Sequence, residues 1–324
     1  MWSLIVAWSL AIAIALLTLW AYGTSRYGWK LYLEIFSHFQ MQYFGLSLIF
    51  TGMVLLLRRR YPSLIACFCC ALLSAQILPW YWPPKVAFPP AADTPHVRVL
   101  IANLNTQNQS YDKALTMTRQ EDPDVAVFME VNQQWKNQLD TLGDTLPYSS
   151  ARIIDTNNFG ISIYSKAPLG DPQVEFFGPR NIPSIVTQIS LAGQSITLLA
   201  THPLPPAKPS YFAARNQQLA EVTDYLAPVD GTVMLVGDLN TTMWSPYYSR
   251  LASKTGLHNA RDGFGILPTW PTPGTYGGIP GWVLSLFQIP IDHCLVSSDL
   301  TVASIHTGAD TGSDHKPVVV EVGF

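Results

Sequence analysis

The sequence is short of charge. Of its 324 residues 13% are Asp, Glu, Lys or Arg and 48% are hydrophobic, where an average soluble domain carries roughly 25% charged residues. A chain this poor in charge implies a part that lies in lipid. Cysteine is also scarce: Cys67, Cys69 and Cys70 fall inside an apolar run, and Cys294 stands alone. No zinc-ligand spacing is present and no disulfide framework is expected; thiols in an apolar helix read as small packing groups. No run of basic residues occurs beyond residue 96, which argues against tight, sequence-independent binding of nucleic acid.

What charge there is lies unevenly. Residues 1–96 carry six basic and two acidic residues, and residues 97–324 carry 13 basic and 20 acidic ones. The first part is therefore net +4 and the second net −7, as if the two were built for different solvents. Residues 2–22 hold no charge at all, and a helix of that length crosses a hydrocarbon core of about 30 Å. Further apolar runs cover about 41–57 and 63–82, the last ending in Trp80, Tyr81 and Trp82, residue types that favour the lipid–water interface. About three transmembrane helices are expected over 1–82. The second run is short enough that a core helix is the competing reading. A cleaved signal peptide fits the first run less well, because a basic leader is missing and two more apolar runs follow. Arg58, Arg59 and Arg60, between the second and third runs, predict a cytoplasmic loop there and an extracytoplasmic C-terminal part; Arg26 and Lys30 count against this orientation. The expected location is a multi-pass plasma or inner membrane. Residues 83–96 hold five prolines and read as a stiff, extended linker.

From 97 to 324 the pattern is mostly strands with a few helices between. Strand-like runs are Val97–Ala102, Asp124–Phe128, Ile161–Tyr164, Ile185–Ser190, Ser195–Ala200, Thr232–Val236, Cys294–Val296 and Val318–Val320, and helical spacing covers Tyr111–Gln120 and Tyr211–Leu226. This implies an α+β domain with sheet packed on sheet and helices outside.

The chemistry lies where the polar residues fall. Asn103 and Asn105 follow the first run, Glu130 ends the next, and His202 ends another. Asp238 and Asn240 close a fourth; Asp292 precedes the run at 294, and Asp314 and His315 precede the last. Sheets gather such ends along one edge, where loops build sites. Oxygen ligands such as Asn105, Glu130 and Asp314 suit Mg²⁺ or Mn²⁺ rather than zinc. Histidines beside acids supply proton transfer near neutral pH. A metal, a base for water and donors to developing charge are what phosphoester hydrolysis requires. Taken singly each signal is weak, since Asp238-Leu239-Asn240 alone would read as a turn. His96, His258 and His306 have no partner motif and read as surface or packing residues. Trp270, among prolines, fits a pocket wall and a packing residue equally well.

The ordered set ANLN, MEVN, ATHP, VGDLN, IDH and GSDH resembles the endonuclease/exonuclease/phosphatase superfamily over roughly 97–324. The resemblance implies a deoxyribonuclease-I-like fold, a four-layer αββα sandwich. It implies a metal site at Glu130 with Asn105 and Asp314, and phosphate contacts from Asn103, Asn240 and His202. It further implies that Asp238 orients or deprotonates water, that Asp292 orients His315, and that His315 acts as base or phosphate contact. Arg215 and Gln218 match positions that are mostly structural in the family, and Asn158-Phe159-Gly160 matches the segment before Ser165-Lys166. The expected activity is Mg²⁺- or Mn²⁺-dependent hydrolysis of a phosphoester outside the cytoplasm, the substrate being a lipid head group or a small phosphodiester. Residues 278–290, a long apolar loop beside Asp292, would either dip into lipid or pack against the anchor or core. An anchored nuclease is the alternative, which charge disfavours, and a non-catalytic binding domain is a second. Nothing in the sequence points to an obligate protein partner.

Overall fold

The computed structural model describes residues 1–82, 96–191 and 193–324; the expected linker at 83–96 lies outside them except for His96. The N-terminal part is a helical bundle of α1 (Trp2–Tyr27), α2 (Leu31–Ser37), α3 (Gln40–Leu56) and α4 (Arg60–Ser74). Its packing is inside-out compared with a water-soluble bundle. On α1 the small residues Ala7, Ala11, Thr18 and Ala21 face inward, while Ile5, Ile12, Leu16 and Leu19 are exposed. Close approach through small residues is how helices associate when the surroundings are as apolar as their side chains. Polar side chains stitch the helices together: Tyr22 OH donates to Leu72 O at 2.7 Å and Arg59 Nη2 to Ser3 Oγ at 2.7 Å. The second contact sets the arginine cluster at the N-terminal end of α1.

Of these helices α1 alone is long and apolar enough to cross a membrane by itself, with 26 residues and a mean hydropathy of 2.4, so the expectation of about three full spans is corrected. The second apolar run is α3 itself, and α2 precedes it across a 63° bend at His38-Phe39. Gln40 holds the break, its Nε2 donating to Ala21 O at 3.1 Å and Ser25 Oγ at 2.9 Å. The remaining α3 and α4 have 17 and 15 residues, about 25 and 22 Å at 1.5 Å per residue, short of a core of about 30 Å.

The rest of the chain runs β1 (His96–Asn103), α5 (Tyr111–Glu121), β2 (Val125–Met129), α6 (Gln133–Leu139), β3 (Tyr148–Arg152), β4 (Ile161–Ser165), β5 (Leu169–Phe177), β6 (Ile182–Leu191), β7 (Gln194–Thr201), α7 (Pro209–Leu226), β8 (Thr232–Asp238), α8 (Pro246–Thr255), β9 (His258–Asn259), α9 (Gly281–Leu286), β10 (Asp292–Val296), β11 (Thr301–Thr307) and β12 (Val318–Gly323). Two six-stranded mixed sheets result, in the orders β11-β12-β1-β2-β4-β3 and β5-β6-β7-β8-β10-β9. Each has one parallel pair, β1 with β2 and β7 with β8. A parallel pair needs a long crossover, and α5 and α7 supply these on the outer faces. The sheets pack face to face through Ile101, Val127, Ile163, Leu198, Val236 and Val320. Outside the first sheet Leu100, Ala126 and Phe128 pack on Met117 and Trp135. Outside the second, Leu199, Val233 and Leu235 pack on Leu219 and Leu251, and Ile77 and Phe44 of the N-terminal part join them. The chain is thus an α+β sandwich with helices on both outer faces.

This topology turns scattered polar residues into neighbours. The C-terminal ends of β1, β2, β7 and β8 and the N-terminal ends of β10 and β12 meet at one end of the sandwich, with Asp292 opposite Asp238 in register. Gly237 is essential to that convergence. Its φ is +142°, and a Cβ there would overlap the carbonyl oxygen of Thr201 on β7. Gly237→Ala is expected to destabilise the protein by about 3 kcal/mol, the upper range for overpacking. Gly143→Ala, with nothing within 4 Å of its added methyl, is expected to stay within about 0.5 kcal/mol. Thermal unfolding of the two variants side by side checks this, and equal midpoints would remove the steric argument.

Candidate active site

Backbone geometry at the strand ends aims the site. Asn105, Glu130 and Asn240 all adopt left-handed conformations, with φ of 56°, 61° and 49°. Such backbone is uncommon outside glycine, is tolerated best by Asn, and is found at functional sites where the surroundings enforce it. Glu130 leaves β2 in this way, and its Oε2 accepts from Thr106 N at 3.2 Å.

Asn103 is the hub. Buried at the end of β1, its Nδ2 donates to Glu130 Oε1 at 3.2 Å and to Asp238 Oδ2 at 3.1 Å, while its Oδ1 accepts from Asn105 N at 3.0 Å. Asn105 Nδ2 in turn donates to Asp314 Oδ1 at 2.9 Å. One carboxamide chain therefore joins Glu130, Asp238 and Asp314 across both sheets. Asp238 Oδ1 accepts from Asn240 N at 2.9 Å, and its Oδ2 has His202 Nε2 at 3.4 Å and His315 Nε2 at 3.7 Å. His315 Nδ1 lies 2.8 Å from Asp292 Oδ2, with both residues buried. Asn240 Nδ2 donates to Pro203 O at 2.9 Å, leaving its second N–H free to turn toward the pocket.

Electrostatics separate the histidines. Burial pulls the His315 imidazolium down, but Asp292 and Asp238 outweigh it and push the group up to about 10, so His315 is a charged donor at neutral pH. Burial likewise opposes the charge on His202, and Asp238 raises it; its Nδ1 is buried with no protein partner. His293, beside Asp292, is pulled down to about 3 by burial and then by Arg261, and it contacts Thr241 O at 2.8 Å. Alternation along β10 thus turns Asp292 into the site and His293 away from it.

The structure brings all the sequence-predicted site residues to one end of the sandwich. The trio whose ligand-type atoms lie within 4.8 Å of one another is Asp238, Asp292 and His315, which differs from the expected metal set of Asn105, Glu130 and Asp314. In the trio, however, His315 Nδ1 is already engaged by Asp292. Glu130 and Asp314 are half-buried and line the pocket instead. Trp270 resolves as a pocket wall, its Nε1 donating to Asp314 Oδ2 at 3.2 Å. Sequence reasoning missed Tyr276, whose OH donates to the same oxygen at 3.0 Å; a lone tyrosine in a Gly/Pro-rich stretch carries no signal.

The pocket has a volume of about 690 Å³. Glu130, Asp238 and Asp314 face it, yet among the described residues no Lys or Arg lines it. Three carboxylates outweigh the one imidazolium of His315, so a phosphoester anion is repelled unless a divalent cation joins them, and all-oxygen donors fit Mg²⁺ or Mn²⁺. The residues present therefore fit the group that the chemistry implies.

The N-terminal helices contribute directly, which the sequence did not announce. Glu34 on α2 is fully buried, and its Oε1 accepts from Arg215 Nη2 at 2.9 Å, Ser245 Oγ at 2.8 Å and Thr241 Oγ1 at 3.2 Å. Arg215 Nη1 donates onward to Asn240 O at 2.7 Å. His38 places Nδ1 3.0 Å from Thr242 Oγ1 and Nε2 3.3 Å from Glu34 Oε2. Thus the loop after Asp238 is held by a helix more than 200 residues earlier in the chain.

The family model for the endonuclease/exonuclease/phosphatase family matches residues 88–315. Similar solved structures include an endonuclease/exonuclease/phosphatase from Beutenbergia cavernae, 18% identical over 71% of this chain and 72% of that one with a TM-score of 0.56. They also include truncated TDP2 from Caenorhabditis elegans, 17% identical over 71% and 98% with a TM-score of 0.57. Sphingomyelinase C from Streptomyces griseocarneus is 18% identical over 70% and 99% with a TM-score of 0.52. At these identities the likeness concerns the fold. No curated protein matches the chain in sequence.

Removing Glu34 would leave Arg215 charged and unpaired at 0% exposure. Glu34→Ala is expected to cost about 3–5 kcal/mol, and Glu34→Leu with Arg215→Met to recover part of it, as buried ion pairs replaced by apolar groups do. Thermal unfolding in nanodiscs reads both; a single-variant loss no larger than that of the exposed Lys254–Asp224 pair would show that the buried pair contributes nothing special.

Proposed function

The chain belongs to the endonuclease/exonuclease/phosphatase family, and from that premise we propose that it is a membrane-anchored, Mg²⁺- or Mn²⁺-dependent phosphoesterase. Its substrate is the head group of a membrane lipid or a small phosphodiester outside the cytoplasm. The observation that carries this reading is the pocket: three carboxylates and three histidines, His38, His202 and His315, line it, and among the described residues no Lys or Arg does.

Glu130, with Asn105 and Asp314, would hold the cation, which neutralises phosphoryl oxygens when bound. Asp238 orients the attacking water and accepts its proton. His315, held by Asp292, donates to the developing charge. His202, its Nε2 3.4 Å from Asp238 Oδ2, lies beside the phosphoryl or leaving oxygen, and Asn103 and Asn240 fix Asp238 and the phosphate. Nucleic acid is the weaker reading, because residues 97–324 are net −7 and a phosphate backbone needs cations along its track. A purely binding role leaves the assembled acid–histidine relay without a task.

For location, α1 crosses the bilayer, and the shorter α3 and α4 pack beside it. The arginines at 58–60 mark the cytoplasmic end. The catalytic part packs on residues after α1, at the other end of the bundle, and therefore faces outward.

The test is hydrolysis by the full-length protein in nanodiscs. The panel is a bis-aryl phosphodiester, sphingomyelin, phosphoinositides and plasmid DNA, each with Mg²⁺, with Mn²⁺ and with EDTA. Turnover of a diester or lipid should vanish with EDTA, and Glu130→Gln or His315→Ala should lower kcat/KM by ~100-fold or more. Turnover that survives EDTA sinks the metal requirement; DNA nicking in place of lipid or diester turnover makes this an anchored nuclease.

A further inference from the structure

The acids and histidines account for one end of the pocket only. Most of the remainder is apolar, and part of it belongs to the N-terminal helices: Ile35 and Phe39 line it from there, with Phe159, Pro206 and Ile289 from the catalytic side. A water-soluble phosphoester has no use for a hydrocarbon wall, which a ligand must cover for the burial to count.

That wall is fixed in place. Glu34, one residue before Ile35, is clamped by Arg215, Thr241 and Ser245. Gln42 Nε2 donates to Leu286 O at 3.1 Å and Gln288 O at 3.2 Å, tying α3 to the α9 loop. The rings of Phe39 and Phe287 meet edge-on at 6.4 Å. Large apolar groups stand exposed around this seam: Tyr32 at 72% and Phe36 at 43% on α2, Trp282 at 70% and Phe287 at 52% at α9. In water such a patch is a liability, whereas at a bilayer surface these residue types are favoured. The seam also runs directly into the helices that include the membrane span.

We infer that the pocket binds a long-chain phosphoester lipid taken from the bilayer. Its phosphoester sits at Glu130 and Asp238, and its hydrocarbon chain lies along Ile35, Phe39 and Ile289 and leaves between α2 and α9. The inference rests on the phosphoesterase reading and narrows its substrate to membrane amphiphiles. Ile35 and Phe39 become specificity-determining residues although neither touches the reacting atoms. The apolar loop at 278–290 then does two things: Ile289 lines the pocket while Trp282 and Phe287 face lipid.

The experiment uses full-length protein in nanodiscs with Mg²⁺ and three p-nitrophenyl alkyl phosphodiesters: ethyl, octyl and hexadecyl. The quantity read is the ratio of kcat/KM for hexadecyl to that for ethyl. Partitioning of substrate into the disc is common to all variants, so changes in the ratio report the protein. The ratio should exceed one in the wild type and fall roughly tenfold in Ile35→Ser with Phe39→Ser, the loss expected when apolar contacts of this size are removed. Phe159→Ser, on the opposite wall, should lower it in the same direction without disturbing the bundle. Equal turnover of ethyl and hexadecyl diesters, or variants that slow both substrates alike, overturns the chain-binding site and leaves the phosphoesterase reading standing. Hydrolysis of none of the three overturns the phosphoesterase reading beneath it.

Discussion

The ion pair between Glu34 and Arg215 is the contact on which the arrangement of this protein depends. Both side chains are fully buried, and Arg215 reaches through to the carbonyl of Asn240 in the loop after β8. Two charges withdrawn from water carry a heavy desolvation cost, which mutual attraction offsets only when further hydrogen bonds satisfy the remaining polar atoms. Here Ser245, Thr241 and Asn216 make such bonds. The N-terminal helices and the sandwich therefore meet over a specific polar lock, reinforced by Trp244 Nε1 to Gln76 O at 3.1 Å and Gly265 N to Trp80 O at 2.7 Å. A tether of the usual kind restrains position; this one also shapes the loop that carries Asp238 and Asn240.

Much of the architecture was legible in the sequence, and the parts that were not share a cause. The central strands read clearly because both faces are buried: β2 and β10 are buried along their whole length, so an apolar run marks each. The strands that escaped notice, β3, β5, β9 and β11, are the four sheet edges. An edge strand exposes much of its surface and needs no apolar run; β5 even contains Pro172, which edges tolerate. The membrane part was misjudged for another reason. Hydropathy registers composition but not where each helix stops, and α3 and α4 end after 17 and 15 residues, too short to span alone.

The polar residues of the site were found by their position at strand ends, because β topology brings such ends together. Their partners were not. Glu34 and His38 lie within an apolar region and more than 180 residues from what they bind, and no local pattern records a contact of that range. Tyr276 and Trp270 serve Asp314 from an irregular segment, where residue type alone does not distinguish a wall from a filler. Pocket chemistry thus divides into the groups that act, which are announced by type and placement, and the groups that hold them, which only the folded chain reveals.

The two ends of the pocket also bear on how a reaction there would finish. One part of its lining is carboxylate and another is Ile35, Phe39 and Ile289, with exposed aromatic residues nearby on α2 and at α9. Cleaving an amphiphile between them separates a piece that water solvates from a piece that hydrocarbon solvates. Each fragment then leaves down its own solvation gradient, in opposite directions, and neither obstructs the other's path. For such a substrate the walls themselves would sort egress, and separation of the products into different phases would disfavour their recombination.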